Sequence, residues 1–224
     1  TEDGANPLHT IDYGCTGGPY TLTIKPAAGV AVNITGSSSS GLIKLNGSDH
    51  VIFDGLNSGG SSLSITNTNT GTSSAVIWLA LVSTTNGATN NTIKNCTITG
   101  NSATTTLAGI ISSGATIGSV AAVANSNNTY QANTITRAQF GIAINGPVVL
   151  ESGTVITQNI IGAPSNTIGF RGISVNNETG TTITGNTVQY VASANATAGA
   201  GGIILPGSTT DVNISGNMIR NISS

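Results

Sequence analysis

Side chains able to move protons or hold ions are scarce in this sequence, and one segment is dense in them: Gly47-Ser48-Asp49-His50-Val51-Ile52-Phe53-Asp54-Gly55. Two carboxyls and an imidazole are the groups that acid-base cleavage of a glycosidic bond would need. Alternation along an extended strand sends neighbouring side chains in opposite directions, which works against convergence. Asp54 also falls one repeat from Lys94 in the same column and can pair with it, while Asp49 suits a turn cap. Asp49, His50 and Asp54 are therefore catalytic candidates outweighed by their structural reading.

Three further acids, Glu151, Glu178 and Asp211, occupy the same turn of successive repeats. An acidic ridge of this kind could bind a hard cation such as Ca²⁺. Stacked like charges repel and solvent screens what remains, so solvated turn residues are the favoured expectation, and no cofactor is required. Phe140 and Phe170-Arg171 stand one repeat apart and could stack against a sugar or a protein partner. The competing expectation is that Phe140 packs under a loop with Arg171 lying across it. Trp78, the single Trp, sits in Ala75-Val76-Ile77-Trp78-Leu79-Ala80-Leu81-Val82, apolar on both faces and so in need of cover on both. A loop, either 83–90 or 61–72, is the expected cover, and a partner chain the alternative.

What positions these residues is a repeat. Thr92-Ile93-Lys94-Asn95-Cys96-Thr97-Ile98 returns at 129–135, 155–161, 182–188 and 213–219, with Phe53-Asp54-Gly55-Leu56 as a degenerate first copy. Steps between the equivalent apolar residues Phe53, Ile93, Tyr130, Ile156, Ile183 and Ile214 are 40, 37, 26, 27 and 31. A constant core with loops of changing length gives such spacing. A second column of apolar pairs two residues apart, Ile43/Leu45, Ile142/Ile144, Ile173/Val175 and Ile203/Leu205, has the period of a strand. Gly109, Gly141, Gly172 and Gly202 precede it and are expected to permit a sharp turn. The chain is thus expected to be an all-β, right-handed parallel β-helix of about seven coils over residues 21–224. Residues 1–20 would form an irregular cap, with Tyr13 and Tyr20 over the first coil. The pattern runs to Ser224, so the solenoid is expected to continue further or to be cut short there.

Asn133, Asn159, Asn186 and Asn217 each lie three residues after the first apolar position. Stacked amides can hydrogen-bond from coil to coil, so these are expected to form a structural ladder. Cys96 and then Leu56 would occupy its last positions. Asn46, Asn145 and Asn176 could form a second ladder. Cys96 in that column favours a buried free thiol, with a Cys15–Cys96 bridge left open.

Only 6% of residues are charged, against roughly 25% in an ordinary soluble domain. The net charge of −2 offers no basic stripe for phosphates, which argues against nucleic acid as a partner. No apolar run reaches the roughly 20 residues of a membrane-spanning helix, so membrane insertion is not expected.

The N-T-I-x-x-N-x-I and G-I-x-I-N patterns resemble the pectin-lyase-like right-handed β-helix superfamily. They are also similar to the Thr- and Asn-rich β-helix regions of bacterial surface proteins exported by the type IX pathway. The resemblance implies fold far more than activity, because these solenoids host many functions. It suggests an extracellular or cell-surface structural or adhesive module without catalysis, whose partners are other domains or copies of the same surface protein, or a glycan. The alternatives are a polysaccharide lyase or glycoside hydrolase, and a non-catalytic carbohydrate-binding module using Phe140, Phe170 and Tyr190.

Overall fold

The computed structural model describes residues 10–11, 20–57, 60–193 and 199–224, and among them every regular element is a strand. The strands stack on three faces of a parallel β-solenoid. The first face carries Leu22–Ile24, Val51–Asp54, Thr92–Lys94, Thr129–Gln131, Val155–Thr157, Thr182–Thr184 and Asn213–Ser215. The second carries Val32–Gly36, Leu63–Asn67, Cys96–Thr99, Thr134–Thr136, Ile160–Ile161, Thr187–Ala192 and Met218–Ser223. The third carries Thr10–Ile11, Gly41–Asn46, Ser74–Ala80, Thr106–Ser113, Ala138–Asn145, Ile168–Asn176 and Gly201–Ile204. Six coils are complete, a seventh is begun, and Thr10–Ile11 adds a rung to the third face by pairing with Lys44 and Leu45. At about 4.8 Å per rung the stack is roughly 30 Å long.

Each face buries one column of apolar residues. Phe53, Ile93, Tyr130, Ile156 and Ile183 align on the first face, and Ile65, Ile98, Ile135, Ile161 and Val188 on the second. Ile43, Ile77, Ile110, Ile142 and Ile173 align on the third, and together the three columns form one core. β-Branched side chains are held in few rotamers and fit a pleated surface stacked on its own copies. The first coil begins at Leu22–Ile24, within the expected 21–224, and Ile24 pairs with Phe53, so Phe53 is the second member of its column and not the first.

Corners between faces are turned by single residues of left-handed backbone. Asn95, Ala132, Gln158, Gly185 and Gly216, with φ of 57, 52, 58, 64 and 63°, separate the first face from the second. His50, Asn90, Asn127, Gly153, Gly180 and Asp211 do the same before the first face. The glycines expected at turns play another part. Gly109, Gly141 and Gly172 lie within third-face strands, where an added Cβ would stand 2.2–2.4 Å from Ile135, Ile161 and Val188 of the second face. They allow close approach across the lumen, not a change of direction.

The Asn ladder is present. Asn133 Nδ2 and its backbone N–H donate to Asn159 Oδ1 (3.1 and 3.0 Å), Asn159 donates likewise to Asn186, and Asn186 to Asn217. Each amide also donates to a carbonyl of the preceding coil, as Asn159 Nδ2 does to Tyr130 O at 2.9 Å. Cys96 N–H donates to Asn133 Oδ1 and ends the chain of amides, with Leu63 below it. Leu56 is not in this column: it is exposed in an antiparallel hairpin of Leu56–Asn57 with Gly60–Ser61, an insertion that explains the 40-residue step. Of Asn46, Asn145 and Asn176, the last two stack in register, but the Asn145 amide donates to Gly118 O and Asn46 pairs with Ala80, so the three do not make an amide-to-amide ladder. A second chain of amides lies elsewhere, at the corner before the first face: Asn91 N–H donates to Asn128 Oδ1, and Val51 N–H to Asn91 Oδ1.

Removing one ladder amide strands several buried groups at once. Asn159→Ala is expected to destabilise the fold by about 4 kcal/mol, since Asn133 N–H, Asn133 Nδ2 and Tyr130 O all lose partners. The exposed turn variant Asn166→Ala should stay within about 0.5 kcal/mol, both read from urea unfolding curves.

Candidate functional site

The acid-base candidates are engaged in holding coils together. Asp49 Oδ1 accepts from Thr89 N–H and Thr89 Oγ1, both at 2.7 Å. His50 is a left-handed corner residue. Asp54 lies at the far end of a four-residue strand, roughly 13 Å of extended chain further on. There it pairs with Lys94 at 3.1 Å and accepts from Asn95 Nδ2 and Leu56 N–H. Burial pushes the Asp54 carboxyl up, but the bonds from Asn95 and Leu56 and the Lys94 ammonium outweigh it, so it sits below the usual carboxylate value. The three residues are spread along a strand and its corner, not gathered at one point.

The expected acidic ridge is divided. Asp211 is exposed and accepts from Thr179 Oγ1, whereas Glu151 and Glu178 are 1% and 0% exposed. Glu151–Ser152 and Glu178–Thr179 are short strands, so alternation turns the glutamates inward and Ser152 and Thr179 outward. The expectation of solvated turn residues fails for these two for that reason. Cys96 is a buried free thiol that burial pushes up to about 12. Cys15 lies outside the described residues, as do Tyr13 and part of the hairpin.

The third face has an outer apolar layer as well as its inner one. Trp78 packs there with Ala75, Ala80, Ala108, Ile111 and Ala143. The partly buried hydrophobic residues packed against this layer are Leu107, Ile117 and Phe140, from the following coils and not from the expected segments 83–90 or 61–72. Trp78 Nε1 donates to Ser113 Oγ at 2.8 Å, Gly118 N–H donates to the same oxygen, and Lys44 Nζ stands 4.3 Å from the ring centroid. Register explains how this layer opens into a hollow. The outward column runs Lys44, Trp78, Ile111, Ala143, Ser174, Ile204, so side-chain volume falls from Trp78 to Ser174 and rises again at Ile204.

Beside that step lie Phe140, Phe170 and Arg171. The two rings meet edge to face at 5.3 Å and 89°. Arg171 pairs with Phe140 in register but lies over the ring of its own neighbour Phe170, at 4.5 Å. Two shallow hollows flank Phe140. One, of about 340 Å³, is lined by Thr104, Gln139, Phe170 and Ser193; the other, of about 190 Å³, by Ile111, Ala143, Arg171 and Ser174. Arg137 donates to Asn101 O, and Arg220 to Gln189 Oε1. Among the described residues the Arg171 guanidinium makes its stacking contact and no hydrogen bond, which leaves its donors open to the hollow. Tyr190 is a half-buried corner residue with φ of 51°. Aromatic face, amide, hydroxyl and unpaired guanidinium are the groups that bind a polar, flat ligand.

Sequence reasoning missed the inner polar cluster of Ser112, Asn125, Asn128 and Tyr130. Its signal was available as a column five residues before each first-face apolar residue: Ser48, Ala88, Asn125, Glu151, Glu178.

Scaffold and contact residues should separate on measurement. Trp78→Ala is expected to cost about 3–5 kcal/mol in urea unfolding, because the outer layer loses its largest member. Arg171→Ala, which breaks no hydrogen bond, should change stability by about 0.5 kcal/mol or less.

Comparison with known proteins offers no relative: no family model matches the chain, and neither a curated protein nor a solved structure does.

Proposed function

We propose that this chain is a structural and adhesive β-solenoid module of a larger extracellular surface protein, without catalytic activity. One observation carries the reading: each coil is tied to the next on all three faces by parallel pairing, making a stiff rod whose length grows with coil number. Its neutral, Thr- and Asn-rich surface and its pattern resemblance to pectin-lyase-like solenoids and to type IX-exported surface repeats point the same way. Other domains or copies of the surface protein are its natural neighbours along the rod.

A second reading is favoured by the hollows beside Phe140. Non-catalytic carbohydrate binding would use the faces of Phe140 and Phe170 with Gln139, Thr104 and Arg171 as polar contacts. Adhesion and glycan binding are compatible, the rod presenting the hollow at a distance from the cell.

Electron microscopy of the full-length protein, together with a glycan-binding array, tests both. Rods or filaments are expected, with any glycan retention weakened at least tenfold by Phe170→Ala and Arg171→Ala. Discrete globular particles, or depolymerisation of a glycan that Asp54→Asn abolishes, would overturn the structural reading in favour of a lyase or hydrolase.

A further inference from the structure

Four buried polar atoms among the described residues have no hydrogen-bond partner: the Tyr130 hydroxyl, Glu151 Oε1, Glu178 Oε2 and Thr181 Oγ1. The two carboxyls belong together. Strands Glu151–Ser152 and Glu178–Thr179 pair in parallel with Glu151 opposite Glu178, which sets the two backbones about 4.8 Å apart. Each glutamate spends one oxygen on a backbone amide: Asn125 N–H donates to Glu151 Oε2 and Thr154 N–H to Glu178 Oε1, both at 2.9 Å. One oxygen of each is left over. The turn closes tightly on them, since a Cβ on Gly146 would stand 2.8 Å from Glu151 Cγ and 2.3 Å from Asn177 O.

In the ladder from Asn133 to Asn217 a buried polar column is satisfied because an amide is both donor and acceptor. A pair of carboxylates has acceptors alone, and a single hydrogen supplies what is missing. We propose that Glu151 and Glu178 share one proton, Glu151 donating from Oε1 to Glu178 Oε2, so that the acid pair is one more hydrogen-bonded rung and makes the solenoid's stability depend on pH.

The surroundings favour the neutral partner. Burial first, and then the Glu178 charge, push Glu151 up to about 8 against the bond from Asn125; burial also raises Glu178, against the Thr154 hydroxyl and amide and the Thr181 hydroxyl, which favour its charged form. Tyr130 reaches in from the first face, and burial and both carboxylates hold its phenol protonated. The remaining groups at the pair, Ser112, Asn125, Thr154 and Thr181, are uncharged, and among the described residues no basic side chain acts on it. Asp211 extends the corner beyond Thr179 but is exposed. A divalent cation fits this donor set poorly, since Ca²⁺ takes about six to eight oxygens and the pair offers two free ones.

The direction of the pH dependence follows. A carboxyl raised on folding contributes its full stability below its unfolded value of 4.5, and that contribution is lost as pH rises to about 8. In urea unfolding, the wild-type unfolding constant should therefore climb toward tenfold per pH unit across that window. Glu151→Gln supplies a permanent N–H to Glu178 and should remove this slope while remaining folded above pH 8. An identical slope in wild type and variant would overturn the proposal. So would stabilisation of the wild type by millimolar Ca²⁺ at pH 8.5 that Glu151→Gln abolishes, which would assign a cation to the pair. Infrared spectroscopy of the wild type gives a reading independent of the variant: a protonated-carboxyl carbonyl band at pH 7 that titrates away near pH 8 supports the shared proton, and its absence at pH 7 overturns it.

Discussion

Parallel pairing of each coil on its predecessor, about 4.8 Å away, is the constraint on which the rest of this protein depends. It places every side chain beside its own equivalent and asks whether like attracts like. Isoleucine passes on dispersion and burial, which is why three columns of it run through the core. Asparagine passes because its amide donates to the copy on one side and accepts from the copy on the other, as Asn159 does between Asn133 and Asn186. Glutamate fails as a carboxylate and passes as a carboxyl pair. The same rule thus accounts for the abundance of Asn and Thr and for the scarcity of charge in this sequence.

Corners obey a related economy. A coil with three faces must turn sharply three times, and from the third coil onward the turn between the first and second faces is made by one left-handed residue, two positions after the apolar column. Non-glycine residues such as Ala132 and Gln158 carry a cost there of about 1–2 kcal/mol. The ladder amide that directly follows each of them, Asn133 or Asn159, offsets it by holding the turn to both neighbouring coils. Geometry and ladder are therefore one device, repeated coil after coil.

Much of this was legible in the sequence because the constraint acts position by position. The columns through Ile93, Tyr130, Ile156, Ile183 and Ile214, and the ladder through Asn133 to Asn217, were read correctly from spacing alone. What escaped was whatever depends on the direction a side chain takes across the lumen or out of it. Gly109, Gly141 and Gly172 read as turns because spacing does not reveal a β-branched side chain facing them from another face. Glu151 and Glu178 read as solvated because acids in a turn usually are, and only the two-residue strands they start show them facing inward. Leu56 was misplaced by an inserted hairpin that copies the repeat's first residues and then leaves the coil. The residues packed against the Trp78 layer came from the following coils, contacts that no period within one coil encodes.

The third face differs from the other two in being buried on both sides over its middle coils, and this concentrates the chemistry of the surface there. Its strands Thr106–Ser113, Ala138–Asn145 and Ile168–Asn176 run eight to nine residues, against three on the first face in the same coils. Length allows an outer layer, and an outer layer can thin. Where it thins, at Ala143 and Ser174 between Ile111 and Ile204, the stack leaves a hollow edged by Phe140 and by the Arg171 guanidinium, whose contact among the described residues is the Phe170 ring. The remainder of the rod presents stacked Thr, Ser and Asn whose hydrogen bonds are largely directed at their own neighbours. A ligand approaching from the side therefore finds aromatic surface and a guanidinium together at this step, and it is a place where selection for binding could act without disturbing the stack.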